Sequence, residues 1–174
     1  MKKIFLLSCL LAFFACEKDD ICSEATPTTP RLFLEFYDIS DPDETKNVTE
    51  LNAYGINDDE TTVPFLNQTI TASEILIPLR TDTNQTKFVL HQNFEIDDLG
   101  TETTDDDVVL GNPEIVTVTY EREEVYVSRA CGYKTVFKNI VFSVEGDEDN
   151  WIINSEILLE NVELETETHV KVYH

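Results

Sequence analysis

Short apolar stretches separated by acidic sequences run through most of this chain, and they limit the folds that it can adopt. The stretches RLFLEFYD, TKFVLHQ, EIVTVTYEREEVYVSRA and ETHVKVYH are rich in β-branched and aromatic residues, which favour strands. Between the stretches lie polar sequences such as DPDE, NDDE, DDLGTETTDDD and EGDEDN, which we expect to be turns. No window places apolar residues at helical spacing. The pattern predicts an all-β domain, an antiparallel β-sandwich of immunoglobulin-like or transthyretin-like topology.

The N-terminus has the order of a bacterial signal peptide. Two lysines precede an apolar run over residues 4–14, which is too short to span a bilayer. Small Ala15 then stands before Cys16, and this order resembles a lipobox, in which the cysteine is acylated and the peptide before it is removed. Cys9, preceded by LLS, has a better local lipobox than Cys16, where Phe13 stands in the place of the usual leucine, but only residues 4–7 remain as its apolar core. The alternative to acylation is ordinary cleavage that releases a soluble secreted product.

The residues directly behind Cys16 indicate where the protein is exported. In CEKDD, Lys18 is followed by Asp19 and Asp20, which resembles the surface-export signal of lipoproteins of the Bacteroidota. We therefore expect an outer-membrane lipoprotein that faces outward.

The chain divides into three segments on this interpretation. Residues 1–15 are the lipoprotein signal peptide, and residues 16–30 form a lipidated tether rich in Thr and Pro, which favour extended backbone. Residues 31–174 form the β-sandwich domain.

The charge of the chain excludes one class of partner. The formal net charge is −23, and removal of the first 15 residues takes away two lysines and no acid. A surface this acidic repels nucleic acid. We expect the partners to be the membrane, through the lipid anchor, and another envelope protein, for example an outer-membrane β-barrel.

Two cysteines remain once Cys16 is acylated and Cys9 is removed with the signal peptide. Cys22 and Cys131 predict one disulfide, because exported compartments are oxidising. The bond would fasten the tether to the domain. The alternative is a pair of free thiols.

Cys131 lies in the stretch SRACGYKTVF, where Gly132 is expected to permit a turn or a bulge between two strands. This stretch, the TPRL sequence at the start of the first strand and the early pair of cysteines resemble an uncharacterised family of flavobacterial lipoproteins, domain of unknown function 6452. The resemblance spans essentially the whole mature chain. It implies an outer-membrane lipoprotein. It supplies no activity, because none is established for the family.

No set of residues predicts catalysis. Ser128 lacks the Gly-x-Ser-x-Gly sequence of a nucleophile elbow, and a disulfide explains Cys131 more simply than a nucleophile activated by Arg129. The carboxylates cluster in turns, where water solvates them, whereas a glycosidase needs a pair in a cleft. Zinc is not predicted either, since three histidines lack the spacing of ligands: His91, His169 and His174. We expect no enzyme activity and no cofactor.

The acidic loops are the remaining candidate site. Calcium takes several oxygen ligands from flexible loops, and two runs of acids offer them: Asp105, Asp106 and Asp107, and Asp147, Glu148 and Asp149. Neither run has the spacing of a known calcium loop, so a solvated charge run is the simpler interpretation. The leading functional prediction is a non-enzymatic binding or accessory module of the cell envelope. The alternative is a calcium- or glycan-binding module that uses the acidic loops, and an unrecognised hydrolase ranks third.

Overall fold

The computed structural model describes residues 21–23, 26, 28–98 and 107–174, and these residues form eleven strands and no helix. No helix that could cross a membrane is therefore found in this part of the chain. The strands in chain order are β1 (Leu32–Asp38), β2 (Asp41–Thr45), β3 (Val48–Ile56), β4 (Thr62–Pro64), β5 (Ile70–Ala72), β6 (Glu74–Ile77), β7 (Gln85–Asp97), β8 (Val108–Ser128), β9 (Gly132–Val144), β10 (Asn154–Ile157) and β11 (Val170–Tyr173).

The strands form two sheets that pack face to face, so the predicted all-β sandwich is confirmed. The first sheet has the order β10–β11–β1, and the other edge of β1 pairs with β6 and then with β2. The second sheet has the order β9–β8–β7–β3, and β4 and β5 share the other edge of β3.

The two sheets depart from the sequence predictions at two places. β1 and β11 are parallel, with Leu34 opposite Val170 and Phe36 opposite Val172, while the other pairs are antiparallel. The sequence DPDE was expected to be a turn, but it lies in β2, whose residues are all exposed. A short acidic strand at a sheet edge discourages pairing with another chain, which is a physical reason for its composition.

The core lies between the inner faces of the sheets and follows from the alternation along the strands. In β1, the alternating residues Leu32, Leu34 and Phe36 are fully buried. The second sheet contributes the opposing layer, which includes Ala53, Phe88, Leu90, Val116, Val118 and Phe137.

The chain also crosses between the sheets. Ser73 lies between β5 in one sheet and β6 in the other, and its carbonyl accepts the N–H of Phe36 at 2.8 Å. After β10, the chain reaches β9 of the second sheet, where Phe137 and Val162 exchange backbone hydrogen bonds of 3.1 and 2.7 Å. These crossings tie the two layers together by backbone contacts as well as by the core.

Two hairpins extend from opposite ends of the second sheet, because β8 is 21 residues long and pairs with β7 at its start and with β9 at its end. We call residues 121–138, the end of β8 and the start of β9, the anchor arm. Residues 93–97 and 108–112, the end of β7 and the start of β8, form the distal arm. At about 3.3 Å per residue, roughly 65 Å of strand separates Val108 from Ser128.

Candidate functional site

The tip of the anchor arm is joined to the N-terminal segment. Cys22 and Cys131 form a disulfide, and their Cα atoms lie 4.9 Å apart. Within the tip, the Cys131 N–H donates to Ser128 Oγ at 3.0 Å, and Gly132 has a φ of 69°. This backbone conformation favours glycine at 132, and Ser128 holds the turn closed.

Thr29, between Cys22 and β1, contacts the same arm. The Thr135 N–H donates to Thr29 Oγ1 at 3.0 Å. Further along, the Arg31 guanidinium donates to both carboxylate oxygens of Glu165, at 2.9 and 2.8 Å. These hydrogen bonds hold the pKa of Glu165 below its usual value. The end of the segment expected to be a tether is thus fixed to the domain.

The distal arm exposes aliphatic side chains far from the disulfide. Four of them are between 41% and 55% exposed: Ile96, Val108, Val109 and Leu110. Ile96 on β7 is opposite Val109 on β8, and exposed Glu95 and Asp97 flank Ile96 along β7. Exposed apolar groups with a polar rim are typical of protein interaction surfaces.

A strained backbone fixes the direction of the distal arm. The register of β7 and β8 shifts between Gln92 and Glu95, where Asn93 has a φ of 53° and Gly111 a φ of 106°. A Cβ atom at Gly111 would lie 2.4 Å from the Asn93 carbonyl oxygen, so no other residue fits there without a shift. The bulge turns Phe94 onto the ring of His91, with centroids 4.9 Å apart.

A groove lies on the outer face of the second sheet. Tyr54, Val89 and Ile115 form a row across β3, β7 and β8 and line a cavity of about 560 Å³. At its rim Lys87 and Glu145 form an ion pair at 2.7 Å. An aromatic ring beside aliphatic side chains, with charged groups at the rim, is a surface that can hold a small polar ligand.

Behind this groove the buried carboxylate of Glu114 holds the loop that follows β9. Glu114 Oε1 accepts the N–H groups of Trp151 at 2.5 Å and of Ile152 at 3.4 Å, while Oε2 accepts the side-chain amide of Asn150. Burial raises the pKa of Glu114, and nearby Asp147 acts in the same direction. Sequence analysis missed this residue. Its position in the alternation EIVTVTY, in line with inward-facing Val116 and Val118, was the available signal.

The three histidines are buried. His169 Nδ1 accepts the Phe33 N–H at 3.0 Å, and the ring of His174 packs edge-on against Trp151. Burial lowers the pKa of His91, of His169 and of His174.

The acidic candidates do not come together in the part of the chain that the structure describes. No group of three histidine, cysteine, aspartate or glutamate side chains there could hold a metal ion. Asp147 instead accepts the N–H of Asp149 at 3.0 Å and donates its own N–H to Asn150, so this loop is organised by its own hydrogen bonds. Glu148 lies in that loop and Asp107 precedes β8, whereas Asp105 and Asp106 fall outside the described residues. So do Cys16 and the export-signal residues Lys18, Asp19 and Asp20.

The distal arm was not predicted. The sequence VVL at 108–110 stands directly behind three acids and was assigned neither to a turn nor to a strand, yet it begins β8. Its three consecutive apolar residues were the signal for a strand.

Comparison with known proteins gives a family and nothing further. Residues 50–174, which include most of β3, all of β4 to β11 and both arms, match the model of a family of unknown function, DUF6452. No curated protein and no solved structure matches the chain. The protein therefore belongs to the DUF6452 family.

Proposed function

We propose that this protein is an outer-membrane lipoprotein of the flavobacterial type, which faces outward and acts as a non-enzymatic binding module. Acyl chains on Cys16 anchor it, and Lys18, Asp19 and Asp20 direct it to the cell surface. Two or three acyl chains are enough for stable anchoring, since each buried methylene contributes about 0.8 kcal/mol.

The observation that carries the proposal is the disulfide between Cys22 and Cys131. Cys22 lies six positions after Cys16, so the bond keeps the tip of the anchor arm close to the lipid. The distal arm extends from the opposite end of the second sheet. An anchor at one end and an exposed apolar surface at the other suit a protein that presents a docking surface away from its own membrane attachment.

The proposed partner is another envelope protein, such as the external loops of an outer-membrane β-barrel. The distal arm combines aliphatic side chains with acids, Glu95 and Asp97 among them. A complementary surface therefore has an apolar centre with lysine or arginine around it.

Site-specific photo-cross-linking in intact cells tests this docking role. A photoreactive residue at Ile96 or Val109 should capture the same envelope protein, and Ile96→Lys should abolish capture from position 109. Val141 on β9 is similarly exposed, at 54%, and provides a control position that should capture nothing. Equal capture from all three positions, or none, would contradict the proposal.

The groove supports a second candidate, a glycan-binding module that uses Tyr54 and the charged rim. A ligand that binds only the folded state raises the thermal unfolding temperature. Oligosaccharides, and calcium followed by chelator, should shift that temperature by several degrees if this candidate is correct. A Tyr54→Ala variant that responds as the wild type does would exclude the groove as the site.

A further inference from the structure

The tip of the anchor arm carries exposed aromatic and aliphatic side chains that nothing in the described fold covers. Tyr126 and Tyr133 are opposite each other in the β8–β9 register, are 58% and 66% exposed, and have ring centroids 5.4 Å apart. Ile21, beside the disulfide, is 83% exposed. Ile21, Tyr126 and Arg129 line one open cleft at the tip.

The charge of the tip differs from that of the rest of the protein. From Tyr126 to Lys134 the sequence is YVSRACGYK, with two basic residues and no acid, in a chain whose net charge is −23. Arg129 lies in the turn between the two tyrosines. The turn between the two tyrosines is thus a basic stretch of this acidic molecule, while Asp19 and Asp20 directly precede Ile21 in the sequence.

The length of the connecting chain limits what the tip can face. Five residues separate Cys16 from Cys22, and six extended residue steps span at most about 20 Å. The disulfide adds only 4.9 Å between the Cα atoms of Cys22 and Cys131. An acyl anchor on Cys16 therefore keeps Cys131 within about 25 Å of the acylated residue, which allows the tip to reach the bilayer surface.

We infer that the tip of the anchor arm is a membrane-contact surface: Tyr126, Tyr133 and Ile21 enter the headgroup region of the bilayer that holds the Cys16 anchor, and Arg129 binds lipid phosphate. Tyrosine suits this place because its ring is apolar and its hydroxyl remains in contact with water. Arginine binds phosphate through paired hydrogen bonds. The inference rests on the proposed lipid anchor and adds a second attachment that fixes the orientation of the sandwich.

Brominated lipids test the contact, because they quench tryptophan fluorescence at close range. The lipidated full-length protein is purified from membranes and reconstituted in vesicles of phosphatidylcholine with or without phosphatidylglycerol. The variants are Tyr126→Trp at the tip and Ile153→Trp as a matched control. Ile153 is 61% exposed, and its N–H donates to the carbonyl of Tyr173. Tyr173 pairs with Tyr37 near the end of β1, so Ile153 lies far from the start of that strand. The native Trp151 is buried in the core and serves as the background.

We expect about twofold quenching of the Tyr126→Trp signal, more with phosphatidylglycerol present, and none of the Ile153→Trp signal. Arg129→Glu in the Tyr126→Trp background should reduce the quenching. Equal quenching at both positions, or none at position 126 in protein that floats with vesicles, would overturn the contact while leaving the anchor intact. Protein that does not float would instead overturn the anchor, and the proposed function with it.

Discussion

The carboxylate of Glu114 on β8 accepts the backbone N–H of Trp151, 37 positions later, at 2.5 Å. Glu114 is fully buried, and Trp151 belongs to the core cluster that includes Phe36. This one side chain thus joins the second sheet to the loop that leads into the first sheet. The loop also forms one side of the outer groove, through Glu145 and Asp147.

Removal of this carboxylate should destabilise the domain. Glu114→Ala leaves the N–H of Trp151 without its acceptor, and a buried unsatisfied donor costs about 1 to 3 kcal/mol. Urea unfolding measures the loss, and Glu123→Ala, an exposed position on the same strand, should change stability by less than about 0.5 kcal/mol. Equal stability of the two variants would contradict the role assigned to Glu114.

The same site gives a pH effect of known sign. The pKa of Glu114 is raised by burial in the folded state, so the folded protein binds this proton more tightly than the unfolded chain does. As the pH falls toward the unfolded value near 4.5, the wild type should therefore gain stability relative to Glu114→Gln. Unfolding free energies of both proteins, measured from pH 7 to 4.5, provide the comparison. A difference that is constant with pH would show that the folded pKa is not raised.

Glycine at 111 should be required for the distal arm. Gly111→Ala introduces a Cβ atom at 2.4 Å from a backbone oxygen. It also places alanine at a φ of 106°, which alanine rarely adopts. We expect the resulting strain to destabilise the bulge by about 1 to 3 kcal/mol. We expect faster amide hydrogen exchange in residues 93–97 and 108–112. Gly146 has open space around it, so Gly146→Ala should leave exchange in the arm unchanged. Slow exchange in both variants would indicate that the bulge does not fix the arm.

The buried histidines should lower the stability of the folded protein as the pH falls. This effect is opposite in sign to that of Glu114. Burial lowers the pKa of His91, so below about pH 6.5 the unfolded chain takes up a proton that the folded protein resists. The stability of the wild type should fall as the pH drops through this value. The variant His91→Leu lacks this titrating group. Its free energy of unfolding should therefore fall less than that of the wild type between pH 7.5 and 5.5. Parallel curves for the two proteins would show that His91 does not contribute.

The secondary structure and the layer architecture could be predicted from the sequence because they are local properties. The alternation in RLFLEFYD places Leu32, Leu34 and Phe36 on one face, and the structure buries these three residues. Turn composition likewise placed Gly132 between two strands, where its φ of 69° is found. The pairing of Cys22 with Cys131 was predicted on the expectation of an exported, oxidising compartment.

Strand order and the buried carboxylate could not be predicted, because they depend on contacts between distant residues. The parallel pairing of β1 with β11 joins residues 136 positions apart, such as Leu34 and Val170, and nothing in either sequence specifies the partner. Glu114 was counted among many solvated acids, since burial of a charge depends on donors supplied by residues 150–152. The strand that VVL begins in the distal arm was not predicted because three acids directly precede it.

The disulfide should contribute much of the stability of the domain. It closes a loop of 109 positions, which the chain-entropy model values at about 4 to 5 kcal/mol before any strain. Peptide mapping without reduction should recover Cys22 linked to Cys131, and the double variant Cys22→Ser with Cys131→Ser should unfold at lower urea concentration. Recovery of both thiols in free form from the exported protein would rule the bond out.

The proposed export signal can be tested apart from the proposed anchor. Short sequences of this kind are addresses read by a receptor and contribute nothing to membrane affinity. Alanine at positions 18, 19 and 20 should therefore leave Cys16 acylated, as shown by mass spectrometry, while intact cells shield the protein from added protease. Alanine at Asp41 and Asp43 on the exposed strand β2 removes two acids from the domain and should leave the protein accessible. If the variant at 18–20 remained as accessible as the wild type, these three residues would not be the signal.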